Sequence, residues 1–210
     1  MFEELGLGDF CFNAEEGKIS QLPDPNEVTY WQLRKNRIFF IDYEIDEDYR
    51  CIELSKIIVQ MNFEEMNIPE EDLQPIVLFL HSYGGDLDQA QALCDIIEAS
   101  RIPIVTVCSG VAMSAGFLIF LAGKRRYAFK QSQFLAHSGS ASFQGTAEQI
   151  EEGQKNYKKQ LDQMKRYILS HTDIDEKLFN KNRTKDWYIS FEEVEKYGIA
   201  KVVSSFDEIK

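Results

Sequence analysis

Ser114 sits in the run Gly110-Val111-Ala112-Met113-Ser114-Ala115-Gly116-Phe117, between an apolar strand pattern and an apolar helix pattern. A serine on a tight strand-to-helix turn presents its hydroxyl at the tip, close to backbone N–H groups that can stabilise an oxyanion. The hydroxyl is a poor nucleophile until a base takes its proton, and imidazole is the usual base. Of the three histidines, His137 closes the apolar run Phe134-Leu135-Ala136 downstream of the serine and is the candidate base. His171 lies in a Ser-His-Thr run at the end of a long helical pattern, where the macrodipole favours a cation. His81 precedes Gly84-Gly85, and strand alternation leaves open which way its ring faces. The segment Ser82-Tyr83-Gly84-Gly85-Asp86 completes the set, because a backbone N–H can approach an oxyanion closely where no Cβ stands in the way. Together these residues suggest a serine hydrolase.

The elements that would hold them alternate along the chain. Strands are expected at Ile38–Ile41, Ile76–Leu80, Ile104–Val107 and Phe134–His137. Helices are expected from Asp46 to Met61, through Leu87, Ala90, Leu93, Cys94 and Ile97, and from Ser114 to Ala122. Such repetition implies parallel βαβ units, and in those sheets sites gather at the carboxyl ends of the strands. Gly84-Gly85, Ser114 and His137 all fall at that edge.

A long helix follows from Thr146, which forms a capping box with Gln149. Ile150, Tyr157, Leu161, Met164 and Ile168 make its apolar stripe and the other face is charged; the stripe reads as packed core or helix–helix contact, with an oligomerisation arm as the further reading because the helix extends past a compact βαβ core. Ser190 with Glu193 starts a further short helix, and Lys201-Val202-Val203 is a last short strand.

At 210 residues the chain is the size of one well-buried domain with an extension, and 44% hydrophobic residues mark it as globular. Its net charge of −12 argues against nucleic-acid binding, which needs a surplus of Lys and Arg. Residues 1–30 are acidic, carry Gly and Pro, and read as an irregular arm. Met1-Phe2-Glu3-Glu4 lacks the basic start of a signal peptide, and the longest apolar run, Val111 to Ala122, is too short to cross a bilayer. A cytoplasmic protein without membrane attachment is the expectation. Cys51, Cys94 and Cys108 lie in apolar-periodic segments and read as buried free thiols. No metal-ligand cluster and no phosphate-binding loop occurs, so neither a metal nor another cofactor is expected.

The motifs Ser82-Tyr83-Gly84-Gly85-Asp86, Gly110 to Phe117 and Phe134-Leu135-Ala136-His137 resemble those of the Clp protease proteolytic subunit, a self-compartmentalising serine peptidase. The helix from Thr146 is similar to that family's handle helix. Arg183 to Glu193, with Tyr197-Gly198-Ile199, resembles its C-terminal segment, and the likeness runs from about Arg34 to Val203. The resemblance implies an α/β fold of the ClpP/crotonase type, with repeated βαβ units and a protruding handle helix at about residues 146–170. Residues 31–210 would form this domain, and residues 1–30 a divergent N-terminal segment.

By the same resemblance, Ser114 is the nucleophile, His137 the base, and the N–H groups of Gly85 and Ala115 the oxyanion hole. The family's third triad member is an aspartate, and the matching residue here is Asn182. An asparagine orients an imidazole but cannot stabilise imidazolium by charge. Asp186, one turn later if this segment is helical, is the alternative. Tyr83 stands where the family has proline, and residues 1–30 do not resemble the family's axial-loop segment. The resemblance further implies self-association into heptameric rings stacked as a tetradecamer, an AAA+ unfoldase that supplies ATP hydrolysis, and unfolded polypeptide substrates. Alternatives are a weak or silent subunit in a mixed ring with a paralogue, a phage-type maturation protease, and an acyl-CoA-binding relative of the same fold.

Overall fold

The computed structural model describes residues 24–46 and 50–209. The chain divides into two units, Met1–Phe39 and Phe40–Lys210. In the first, helix α1 (Pro25–Lys35) begins inside the arm expected to be irregular. Asp24 accepts from the Asn26 N–H at 2.7 Å, and Pro25 takes the first helical position, where a missing N–H is harmless. Residues that read as breakers are here a helix start. The rest of the expected arm, residues 1–23, lies outside the described residues.

From Ile38 onward the chain is built on a seven-stranded sheet. Its strands are β1 (Ile38–Ile41), β2 (Ile76–Ser82), β3 (Ile104–Met113), β4 (Arg125–Phe129), β5 (Gln133–Ala136), β6 (Trp187–Ile189) and β7 (Lys201–Val203). The order is β1-β2-β3-β4-β7, with β5 on β3 and β6 on β5. The β2–β3, β3–β4, β4–β7 and β3–β5 pairs are parallel, as the strand–helix alternation predicts, and β5–β6 is antiparallel.

Strand β3 is longer than its apolar run suggested. Val105–Cys108 pair with β4, whereas Val111–Met113 pair with β5. The strand therefore forks, and its second branch carries the chain directly to Ser114. Strand β4 has no apolar signature at its start because Arg126 points its guanidinium at helix ends. Its nitrogens donate to Ile199 O (2.7 Å), Leu121 O (3.1 Å), His171 O (2.8 Å) and Gly198 O (2.8 Å).

The helices are α2 (Arg50–Glu64), α3 (Leu87–Ala99), α4 (Ala115–Leu121), α5 (Ala147–His171), α6 (Glu176–Asn182) and α7 (Phe191–Lys196). Every residue of α4 is buried, and Phe117 and Phe120 meet Phe134 of β5 at ring-centroid distances of 5.8 and 5.0 Å. This aromatic cluster fixes the helix behind Ser114 to the strand that leads into His137. Leu121 and His171 are the last residues of α4 and α5, and Gly198 and Ile199 follow α7. Arg126 thus satisfies carbonyls that lack intrahelical donors and complements the helix dipoles.

Helix α5 is the long helix expected from Thr146, whose hydroxyl accepts from the Gln149 N–H while the Gln149 side chain accepts from the Thr146 N–H. Along its stripe only Ile168 is buried; Ile150, Tyr157, Leu161 and Met164 stay half-buried. Cys51, Cys94 and Cys108 are buried free thiols, and burial pushes the Cys94 thiol up to about 12.

Candidate active site

Three parallel strands, β2, β3 and β5, deliver Gly84-Gly85, Ser114 and His137 at their carboxyl ends. Ser114 has φ 53° and ψ −122°, a left-handed backbone that a non-glycine residue adopts at a cost of about 1–3 kcal/mol. The turn is held by the Ser114 N–H, which donates to Leu135 O at 2.9 Å, and by the Ser114 carbonyl, which accepts from Phe117 at 3.0 Å. Strand, turn and helix therefore determine the serine's backbone from both sides.

The glycine turn packs directly against it. A β-carbon on Gly84 (φ 105°) would lie 2.7 Å from Ser114 Cβ, 2.7 Å from Met113 O and 3.1 Å from the Ala115 nitrogen. One on Gly85 (φ 140°) would strike the Ile45 carbonyl at 1.9 Å. Both glycines are needed for shape as well as for conformation. Gly85 bridges Ile45 through its neighbours: Ile45 N–H donates to Gly84 O (2.8 Å), and Asp86 N–H to Ile45 O (2.5 Å). In a parallel bridge this leaves the Gly85 N–H out of the pairing. The Ala115 N–H opens α4, where no intrahelical acceptor exists. The two N–H groups expected to form an oxyanion hole thus belong to segments in van der Waals contact.

His137 Nε2 lies 2.7 Å from Ser114 Oγ. On the other side of the ring, His137 Nδ1 lies 3.2 Å from Asp186 Oδ1. Register explains the second contact. In the antiparallel β5–β6 ladder Phe134 faces Ile189, Leu135 faces Tyr188, and Ala136 faces Trp187. One further step sets His137 opposite Asp186, at the spacing of cross-strand pairs. Asp186, the alternative expected one helical turn beyond Asn182, arrives through strand pairing instead, after α6 has ended. The run Trp187-Tyr188-Ile189, aromatic and β-branched, is the sequence signal that could have revealed this strand.

Asn182 is the last residue of α6, 7% exposed, and its amide donates to Leu178 O at 3.0 Å within that helix. The group facing the imidazole is the Asp186 carboxylate, which is 63% exposed and so partly screened by water. His81 is exposed, with its ring against Tyr83 at 6.2 Å and over Gly110, whose β-carbon would meet His81 Nδ1 at 2.1 Å. His171 ends α5, where Nδ1 bonds Tyr167 O (2.8 Å) and Nε2 pairs with Glu98 (3.2 Å). Neither is brought to Ser114.

Comparisons with known proteins follow the same residues. The family profile described as Clp protease matches residues 25–206. The chain is 28% identical over 172 residues to the ATP-dependent Clp protease proteolytic subunit of Deinococcus radiodurans, covering 81% of each chain. Among solved structures it is similar to an asparagine-to-aspartate mutant of ClpP1 from Listeria monocytogenes. That match has a TM-score of 0.73 at 22% identity, over 87% of this chain and 99% of the other.

Proposed function

This chain belongs to the Clp protease family, and from that premise we propose that it is a serine endopeptidase subunit working through an acyl-enzyme on Ser114. The observation that carries the reading is the Ser114–His137–Asp186 chain of contacts at 2.7 and 3.2 Å. In the productive tautomer His137 accepts the Ser114 proton at Nε2 and donates Nδ1–H to Asp186. Ser114 Oγ attacks the scissile carbonyl, and the N–H groups of Gly85 and Ala115 receive the developing oxyanion. The imidazolium then gives its proton to the leaving amine, and water, activated by the same imidazole, releases the acyl group. Asp186 takes the orienting position expected for Asn182, which we assign to closing the last turn of α6.

Substrate class and assembly follow from the family. We assign unfolded polypeptides as substrates, stacked heptameric rings as the working form, and a separate AAA+ unfoldase as the source of ATP-driven unfolding. The half-buried stripe of α5, about 27 Å long at the usual rise per residue, supports a contact between copies through that helix. No helix of the described residues is long and apolar enough to cross a membrane; a cytoplasmic setting is proposed with the rest.

The test is digestion of a fluorescently labelled, chemically unfolded polypeptide by the full-length chain, with light scattering to measure its mass in solution. The expected result is cleavage to short peptides by a ring-sized particle and none by Ser114→Ala. A ring-sized particle that leaves unfolded chains and short peptides intact would overturn the proposal.

A further inference from the structure

The base is braced from both sides, by two different means. On the strand side, the β5–β6 ladder ends at Ala136 and Trp187, one residue short of His137 and Asp186. Beyond the pair the ladder gives way to side-chain bonds. The Ser138 hydroxyl donates to the carbonyl of Arg183, and the Tyr157 hydroxyl of α5 donates to the carbonyl of Ser138 at 2.6 Å. Arg183 caps α6, so its carbonyl has no donor within the helix, and it lies three residues before Asp186.

The link to α5 is itself supported. Phe143, in the loop that follows Ser138, meets the Tyr157 ring edge-on at 6.1 Å. It also lies over Gly153, where a β-carbon would come within 2.8 Å of its ring. That contact accounts for a glycine inside a long helix, where alanine is otherwise preferred. Burial raises the Tyr157 phenol above its ordinary range, so the hydroxyl remains a hydrogen-bond donor further into alkaline conditions.

We propose that Ser138 and Tyr157 are positioning residues for the peptidase reaction: their hydroxyls join α5, the strand end at His137 and the segment before Asp186, and so set the His137–Asp186 geometry. This rests on the Ser114 acyl-enzyme reading given above. Neither residue touches the reacting atoms. Each removes freedom from the imidazole–carboxylate pair where the backbone ladder no longer does, and catalysis is sensitive to displacements of about 1 Å. The exposure of Asp186 makes the bracing necessary, because a partly hydrated carboxylate gains little from its charge alone in holding one geometry.

Ser138→Ala and Tyr157→Phe each remove one hydroxyl with little change of shape. In the full-length protein, fluorophosphonate labelling of Ser114 and kcat for a short peptide should both fall about tenfold, with KM unchanged. Ser138→Thr, which retains a hydroxyl, should recover most of the rate. In an Asp186→Asn background, Ser138→Ala should cost little more, because both changes act on one pair. Melting temperature and particle mass should stay at the wild-type values. If wild type labels at Ser114 and both variants label within twofold of it, or if the Ser138 and Asp186 effects simply add, the positioning role is wrong and the acyl-enzyme reading stands. If wild type itself takes no label, that reading fails and this inference with it.

Discussion

Replacing Asp186 by asparagine keeps the shape of the residue beside His137 and removes its charge. In the proposed reaction the imidazole becomes a cation as Ser114 attacks, so the carboxylate would contribute most in the transition state. At the 3.2 Å separation of Nδ1 and Oδ1, a unit-charge pair is worth about 1.3 kcal/mol at the dielectric of water and about 2.6 kcal/mol at half that value. With Asp186 63% exposed, this range is more apt than that of a buried pair. Asp186→Asn should therefore lower kcat by about 10- to 80-fold, well short of the ~10⁴ typical when the aspartate is buried. Asn182→Ala gives the contrast. It removes the amide bond to Leu178 O at a buried helix end, so it should cost about 1–2 kcal/mol of stability and leave kcat within about threefold. The assay is peptide hydrolysis under saturating substrate, with denaturant melts on the same preparations. The reasoning is refuted if Asp186→Asn turns over within twofold of wild type, or if Asn182→Ala has the larger loss in kcat.

Other outcomes follow from the packing. Gly84→Ala should abolish Ser114 labelling while leaving far-UV dichroism close to native, since the added carbon meets Ser114 Cβ and Met113 O at 2.7 Å; a labelled Gly84→Ala protein would contradict the close packing of the turn. Arg126→Met should destabilise the domain by about 3 kcal/mol in urea melts, because two helix-end carbonyls and two carbonyls just beyond α7 lose their donor together. Alkaline stability should fall from about pH 9 upward. The buried Cys94 thiol keeps its proton up to about 12 while the unfolded chain loses it near 9, so the unfolded state binds fewer protons across that window. Cys94→Ala should flatten that decline.

Ser114, Gly84-Gly85 and His137 were legible because each stands at the end of an apolar strand and needs only local chain to reach the site. Asp186 was not, because its place depends on register between segments about fifty residues apart, and no local pattern carries register. The expectation for Asn182 came from its position in a motif; the segment after α6 turns into a strand, and that turn brings forward the residue four positions later. β4 escaped notice because its second residue is a cation that satisfies helix carbonyls, which inverts the usual alternation of apolar and polar. The second half of β3 escaped because Ser109, Gly110 and Ala112 are small, and small residues give no hydrophobic signal even where they pair as strand. In α1, the Asp24-Pro25 that reads as part of an irregular arm begins a helix.

Activation of Ser114 by His137 is read from the rate and site of fluorophosphonate incorporation into the full-length chain, compared with Ser114→Ala and His137→Ala. One adduct per chain is expected, on Ser114, absent from Ser114→Ala and slowed at least about a hundredfold in His137→Ala. An unlabelled wild type, or equal labelling of all three proteins, would contradict that activation.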